Sequence, residues 1–116
     1  MIKTAIFNGV ATIEIARPEK KNALTIAMYQ AMADAINAAR DDASVRALLI
    51  TGQPGIFTSG NDIEDFMARP PGQGAHMMES PVARFMRALF EFDKPAVAAV
   101  TGGLPAAIPA DTVAGK

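Results

Sequence analysis

Residues 45–63 read Val45-Arg46-Ala47-Leu48-Leu49-Ile50-Thr51-Gly52-Gln53-Pro54-Gly55-Ile56-Phe57-Thr58-Ser59-Gly60-Asn61-Asp62-Ile63. The run Ala47-Leu48-Leu49-Ile50 is apolar without alternation, the pattern of a strand covered on both faces in a parallel sheet. Gly52-Gln53-Pro54-Gly55 is a turn. Residues 56–62 then lead into a short helix over 63–67. Asp62 is a suitable cap for it, and Glu64 and Asp65 suit its positive end. Upstream, Thr25 can cap a helix running to about Arg40, with Leu24 before it as a staple. Met28, Met32, Ala35, Ile36 and Ala39 recur every three or four residues and form its apolar face. Strand, helix, strand in this order is a right-handed βαβ unit, so the fold class is α/β.

Working outward, residues 4–7 and 10–16 are strands separated by Asn8-Gly9, a pair that tolerates positive φ at both positions and marks a hairpin. Ala11, Ile13 and Ile15 alternate with Thr12 and Glu14, giving one buried face. Arg17-Pro18-Glu19-Lys20-Lys21-Asn22 is a polar loop. Towards the C-terminus, residues 69–74 (Arg-Pro-Pro-Gly-Gln-Gly) form a second loop. Ser80-Pro81 starts a helix whose apolar face is Val82, Phe85, Met86, Leu89 and Phe90, ending near Phe92. Residues 96–100 are a second covered strand. From Thr101 the chain turns to small residues, and Pro105 and Pro109, four apart, exclude an ordinary helix. The expected organisation is a domain over 1–102 and an irregular tail over 103–116.

The 116 residues carry 11 Lys+Arg, 12 Asp+Glu and a formal charge of -1. That balance, without a basic run, argues against a non-specific nucleic-acid binder. The hydrophobic share of 50% is too high for a disordered chain. No apolar run approaches the roughly 20 residues that span a bilayer. The absence of cysteine excludes disulfides, thiolate metal sites and thiol catalysis. A cytoplasmic location without membrane association is expected, and the N-terminus does not read as a signal peptide.

Few side chains here can do chemistry. His76 is the only histidine and has no partner motif, so an incidental histidine is the simpler reading. Asp62, Glu64 and Asp65 could gather a hard cation, but capping explains them, and no metal site is expected. Lys20-Lys21 is a solvated pair, and Met28 and Met32 belong to the core. No Gly-x-Gly-x-x-Gly or Walker loop is present. The informative segment is 56–63: glycine lets a ligand approach the backbone, and amides before a helix start point outward as donors. Such a loop can stabilise an oxyanion with no reactive side chain, and an ordinary strand-to-helix connection fits equally well.

Several pieces taken in order resemble the enoyl-coenzyme A hydratase/isomerase (crotonase) family. They are Ile13-Glu14-Ile15-Ala16-Arg17-Pro18, then Lys21-Asn22-Ala23-Leu24, then Val45 to Gly52 as quoted. Phe57-Thr58-Ser59-Gly60-Asn61-Asp62-Ile63 follows, and Lys94-Pro95-Ala96-Val97-Ala98-Ala99-Val100-Thr101-Gly102 closes the set. Ser59-Gly60-Asn61-Asp62 looks most like the isomerase-type or peroxisomal-type members. The resemblance implies a spiral of ββα units that binds acyl-coenzyme A thioesters, with coenzyme A as part of the substrate and no separate cofactor. Two backbone N–H groups would hold the thioester oxygen and stabilise an enolate, the first from Ser59. Ser59, Gly60, Asn61, Asp62 and Ile63 would line the coenzyme A site. Lys20, Lys21 and Ala23 would lie near its nucleotide end.

The departures from the family are equally specific. The second oxyanion donor aligns near Ala107, between Pro105 and Pro109, where the family has a glycine-rich helix start. A family glutamate that moves protons aligns near Ala110. A further glutamate, the rest of the spiral and the trimer contacts lie beyond Lys116 in the family. The resemblance therefore predicts a truncated crotonase-like chain, the product of a frameshift after Gly102, that is inactive alone. The alternative is a non-catalytic fragment or interaction module. An unrelated α/β regulatory domain would instead require Asp62 or Asp65 to join other carboxylates at strand ends.

Overall fold

The computed structural model describes residues 1–68 and 80–100. Strands β1 (Ile2–Phe7) and β2 (Val10–Ile15) form the expected hairpin, with Asn8 at φ 52° and Gly9 at φ 80°. A single 3-10 turn, Pro18–Lys20, precedes helix α1 (Ile26–Asp41). Strand β3 (Ala47–Thr51), the short helix α2 (Ile63–Met67), helix α3 (Pro81–Glu91) and strand β4 (Ala96–Ala99) follow. The sheet order is β1-β2-β3-β4. The hairpin is antiparallel, while β2–β3 and β3–β4 are parallel, so the expected βαβ unit is present.

The caps lie where the residue types place them. Thr25 Oγ1 accepts from the Met28 amide at 3.1 Å, Asp62 Oδ1 from the Asp65 amide at 2.9 Å, and Ser80 Oγ from the Ala83 amide at 3.1 Å. At the far end of α1, Lys94 Nζ donates to the Ala39 and Asp42 carbonyls, both at 2.9 Å. These are two of the carbonyls that a helix end leaves without intrahelical donors. The Gly9 carbonyl accepts from the Arg46 and Ala47 amides, which ties the hairpin turn to the start of β3.

Alternate residues of β2 (Ala11, Ile13, Ile15) and β3 (Leu48, Ile50) are buried against Met28, Met32, Ala33, Ile36 and Ala39 of α1. This corrects the expectation that β3 and β4 are covered on both faces. Leu49 is half-buried and Val97 is exposed, so among the described residues only one face of the sheet carries core. An apolar run measures hydrophobicity and does not by itself report which face has a partner. Ala33 also joins the buried side of α1, where Ala35 was expected and is only half-buried. Small side chains let a neighbouring helix approach closely, and α3 packs on α1 here.

The apolar face of α3 needs the larger correction. The residue it buries is Ala88, with Phe85 packed at the margin of the core. Met86 and Leu89 are exposed, and Phe90 is 90% exposed. The helix therefore turns Ala88 inward and keeps Phe85, but not Met86, Leu89 or Phe90, against the core. The tail over 103–116 and the loop over 69–74, with His76, lie outside the described residues.

Candidate functional site

Two loops lie side by side at one end of the sheet: residues 16–25 after β2 and residues 57–62 before α2. Their pairing starts at Asn22. This residue is completely buried and sits at φ 57°, beside Lys21 at φ 53°. Both fall in the left-handed region, which asparagine tolerates better than most side chains. Asn22 Oδ1 accepts from the Arg17 amide at 2.6 Å. Its Nδ2 donates to the Ile15 carbonyl at 3.0 Å and the Phe57 carbonyl at 3.1 Å, with the Ile56 carbonyl further off at 3.5 Å. One side chain thus joins the end of β2 to the loop leading to α2.

The contacts continue along both loops. Thr58 Oγ1 donates to the Asn22 carbonyl at 2.7 Å and accepts from the Gly60 amide at 3.1 Å. The Leu24 amide donates to the Gly60 carbonyl and the Asp62 amide to the Leu24 carbonyl, both at 2.8 Å, forming a short parallel pairing of Leu24 with Asn61. Arg17 Nη1 bridges the Ala23 carbonyl at 3.0 Å and Asp62 Oδ2 at 2.8 Å. Asp65 Oδ2 accepts from the Ile26 amide at 2.8 Å, so α2 is held to the start of α1. Gly60 has φ 109°, a value that side chains other than glycine rarely adopt, although a Cβ there would meet nothing.

This geometry decides which amide is available. The Ser59 N–H, expected to face a thioester oxygen, donates to the Lys21 carbonyl at 3.2 Å. It is spent within the protein, because the two loops run close enough here to bond backbone to backbone. The Gly60 amide is spent on Thr58 and the Asp62 amide on Leu24. In a parallel pairing of this kind Leu24 makes both bonds, and the N–H of its opposite residue points away from it. That residue is Asn61. It is exposed, and its amide has no partner among the described residues.

The other expected residues fall around this point. Lys20 and Lys21 are exposed and Ala23 is half-buried, all on the loop that pairs with residues 57–62. Ile63 is exposed and Asp62 half-buried. No group of three or more His, Cys, Asp or Glu that could hold a metal occurs among the described residues. The expected second donor near Ala107 and the aligned Ala110 lie outside the described residues. Sequence reading gave no role to Asn22, Arg17 or Tyr29. The first two stood inside quoted motifs, yet only the loop-to-loop contacts show what they hold.

The Asp65 amide, and next the Arg17 guanidinium, keep the Asp62 carboxyl below its ordinary value of 3.8. A carboxyl whose folded pKa is depressed contributes stability above its unfolded pKa and loses it as pH falls through the folded value. Little change with pH is therefore expected between pH 7 and 5, and a loss below about pH 4. Asp62→Asn should shrink that acid loss without abolishing it, since Ser44 holds Asp42 low in the same way. Urea midpoints for both proteins across pH 3–7 test this, and an unchanged acid arm would count against the Arg17–Asp62 tie.

A hairpin feeding parallel strand–helix units, with a glycine turn before the short helix α2, defines an α/β protein. The enoyl-CoA hydratase/isomerase family model matches residues 5–108, and the chain belongs to that family. It is 35% identical over 98 residues to human enoyl-CoA delta isomerase 2, covering 82% of this chain and 25% of that enzyme. The structure of OdaA from Pseudomonas aeruginosa superposes with a TM-score of 0.78 at 50% identity, covering 86% of this chain and 39% of the other. An enoyl-CoA hydratase/isomerase from Pseudoalteromonas atlantica superposes with a TM-score of 0.74 at 35% identity, covering 85% and 37%. The chain thus spans a quarter of the human relative's length and less than two fifths of these two structures. No helix among the described residues is long and apolar enough to cross a membrane.

Proposed function

We propose that this chain recognises the thioester end of an acyl-coenzyme A without turning it over. The thioester oxygen takes the N–H of Asn61, and the nucleotide end lies towards Lys20, Lys21 and Ala23. The supporting observation is the unspent amide of the exposed residue Asn61, in a turn whose neighbouring amides at 59, 60 and 62 are all committed. Family membership supplies the substrate class. The lysine pair supplies positive charge for phosphate at a place where the two loops meet.

Titration of the isotopically labelled chain with crotonyl-coenzyme A, followed by amide NMR, tests this reading. The Asn61 resonance is expected to shift with the thioester and to stay in place with free coenzyme A. The exposed Met86 and Phe90 of α3 favour a second reading, association through that face without ligand binding. A chain that eluted only as large assemblies and bound neither compound would support that reading and remove the first.

A further inference from the structure

We propose that Tyr29 is a positioning residue for recognition of the acyl oxygen, its hydroxyl holding Asn61 so that the amide of that residue stays turned outward. The inference rests on the reading of Asn61 given above. Tyr29 lies in the first turns of α1, 32 residues before Asn61, and its hydroxyl donates to Asn61 Oδ1 at 2.5 Å. The ring is fixed from two sides. It meets Phe66 of α2 edge-on at 6.3 Å between centroids and 84° between planes, and Phe85 of α3 at 5.4 Å and 67°. Edge-to-face pairs of this kind restrain a ring beyond the area they bury. Three helices therefore aim one hydroxyl at the turn.

What the hydroxyl prevents follows from asparagine chemistry. A free Asn Oδ1 competes for nearby backbone donors, typically the amide two residues on, and folds its own segment into an Asx turn. At Asn61 that donor would be the Ile63 amide, at the start of α2. Such a turn would rotate the peptide that carries the Asn61 N–H. With Oδ1 occupied by Tyr29, the parallel pairing of Leu24 with Asn61 persists and the amide keeps its direction. Burial raises the Tyr29 phenol above 10.0, so the hydroxyl remains a proton donor throughout the neutral range.

The test is a double-mutant cycle on the full chain, using Tyr29→Phe, Asn61→Ala and the pair, with crotonyl-coenzyme A and free coenzyme A as probes. Tyr29→Phe keeps the ring packing and removes only the hydroxyl. It should weaken crotonyl-coenzyme A binding about three- to tenfold, the range of one exposed hydrogen bond. Affinity for free coenzyme A should be unchanged, and the Asn61 amide shift on thioester addition should diminish. In the Asn61→Ala background the same substitution should cost about twofold or less, because the hydroxyl then has no partner. Parent-like thioester binding and an undiminished Asn61 shift in Tyr29→Phe would overturn the role of Tyr29 alone. So would a loss of equal size in the Asn61→Ala background, which would trace to packing. An unmodified chain that shows no thioester preference and no shift at Asn61 would overturn the acyl-oxygen reading, and this proposal with it.

Discussion

Crotonyl-coenzyme A is expected to emerge unchanged from incubation with this chain, neither hydrated nor isomerised above the uncatalysed rate. Two deficits combine. The resemblance to the family implies a second oxyanion donor near Ala107, flanked by Pro105 and Pro109, and loss of one such donor costs about 100- to 1000-fold in rate. The same resemblance implies a proton-moving glutamate near position 110, where this chain has Ala110, and absence of general acid–base catalysis costs about 100- to 10,000-fold more. Asp62 and Asp65, beside the turn, do not replace it. Asp62 is bonded to Arg17 and the Asp65 amide, and those bonds keep it ionised and weakly basic. Asp65 is bonded to the Ile26 amide. A spectrophotometric assay at high protein concentration checks the expectation, and turnover that scales with added chain would refute it.

Asn22→Ala is expected to lower the unfolding free energy by about 3–5 kcal/mol, a large share of what a domain of this size holds. The side chain is completely buried and meets the Arg17 amide and the carbonyls of Ile15 and Phe57. Truncation takes this partner from the Arg17 amide and the Phe57 carbonyl, while the Ile15 carbonyl keeps Gln53 Nε2 at 3.2 Å, and each buried group left unpaired costs about 1–3 kcal/mol. Alanine also tolerates the φ of 57° less well than asparagine. Asn22→Gly separates the two contributions: it relieves the backbone and restores no hydrogen bond, so it should recover only about 1 kcal/mol. Asn22→Asp keeps the acceptor for Arg17 but turns a negative oxygen towards two carbonyls, and should be as damaging as alanine. Urea unfolding of the three variants measures this. A loss below about 1 kcal/mol for Asn22→Ala would show that the loops are held together by other contacts.

Much of this molecule is legible in residue order. Asn8-Gly9, Thr25, Asp62 and Ser80-Pro81 each act through neighbours within a few positions, so the hairpin turn and the three helix starts can be read from local chemistry. The alternation of Ala11, Ile13 and Ile15 likewise reports the buried face of β2. Reading fails where the partner is distant. The stripe Val82, Phe85, Met86, Leu89 and Phe90 is a good helical face by spacing, yet the residue α3 buries is Ala88, and of the stripe Phe85 meets Tyr29 of α1 while Met86, Leu89 and Phe90 are exposed. Spacing records which residues share a side and not which side a neighbour occupies.

The donor at the turn illustrates the same limit at one atom. Residue types alone place a glycine turn with outward amides before α2, and the resemblance points to Ser59. Which amide remains free depends on a second loop, whose Lys21 carbonyl takes the Ser59 N–H and whose Leu24 pairs opposite Asn61. Sequence by itself determined the α/β class, the order of strands and helices and the family, because propensity, capping and hydrophobic period are short-range properties of the chain. Tertiary structure alone decided the direction of the Asn61 amide, the burial of Asn22 and the exposure of Phe90. Each of these is set by contact with a segment far away along the chain, and no local period encodes such a contact.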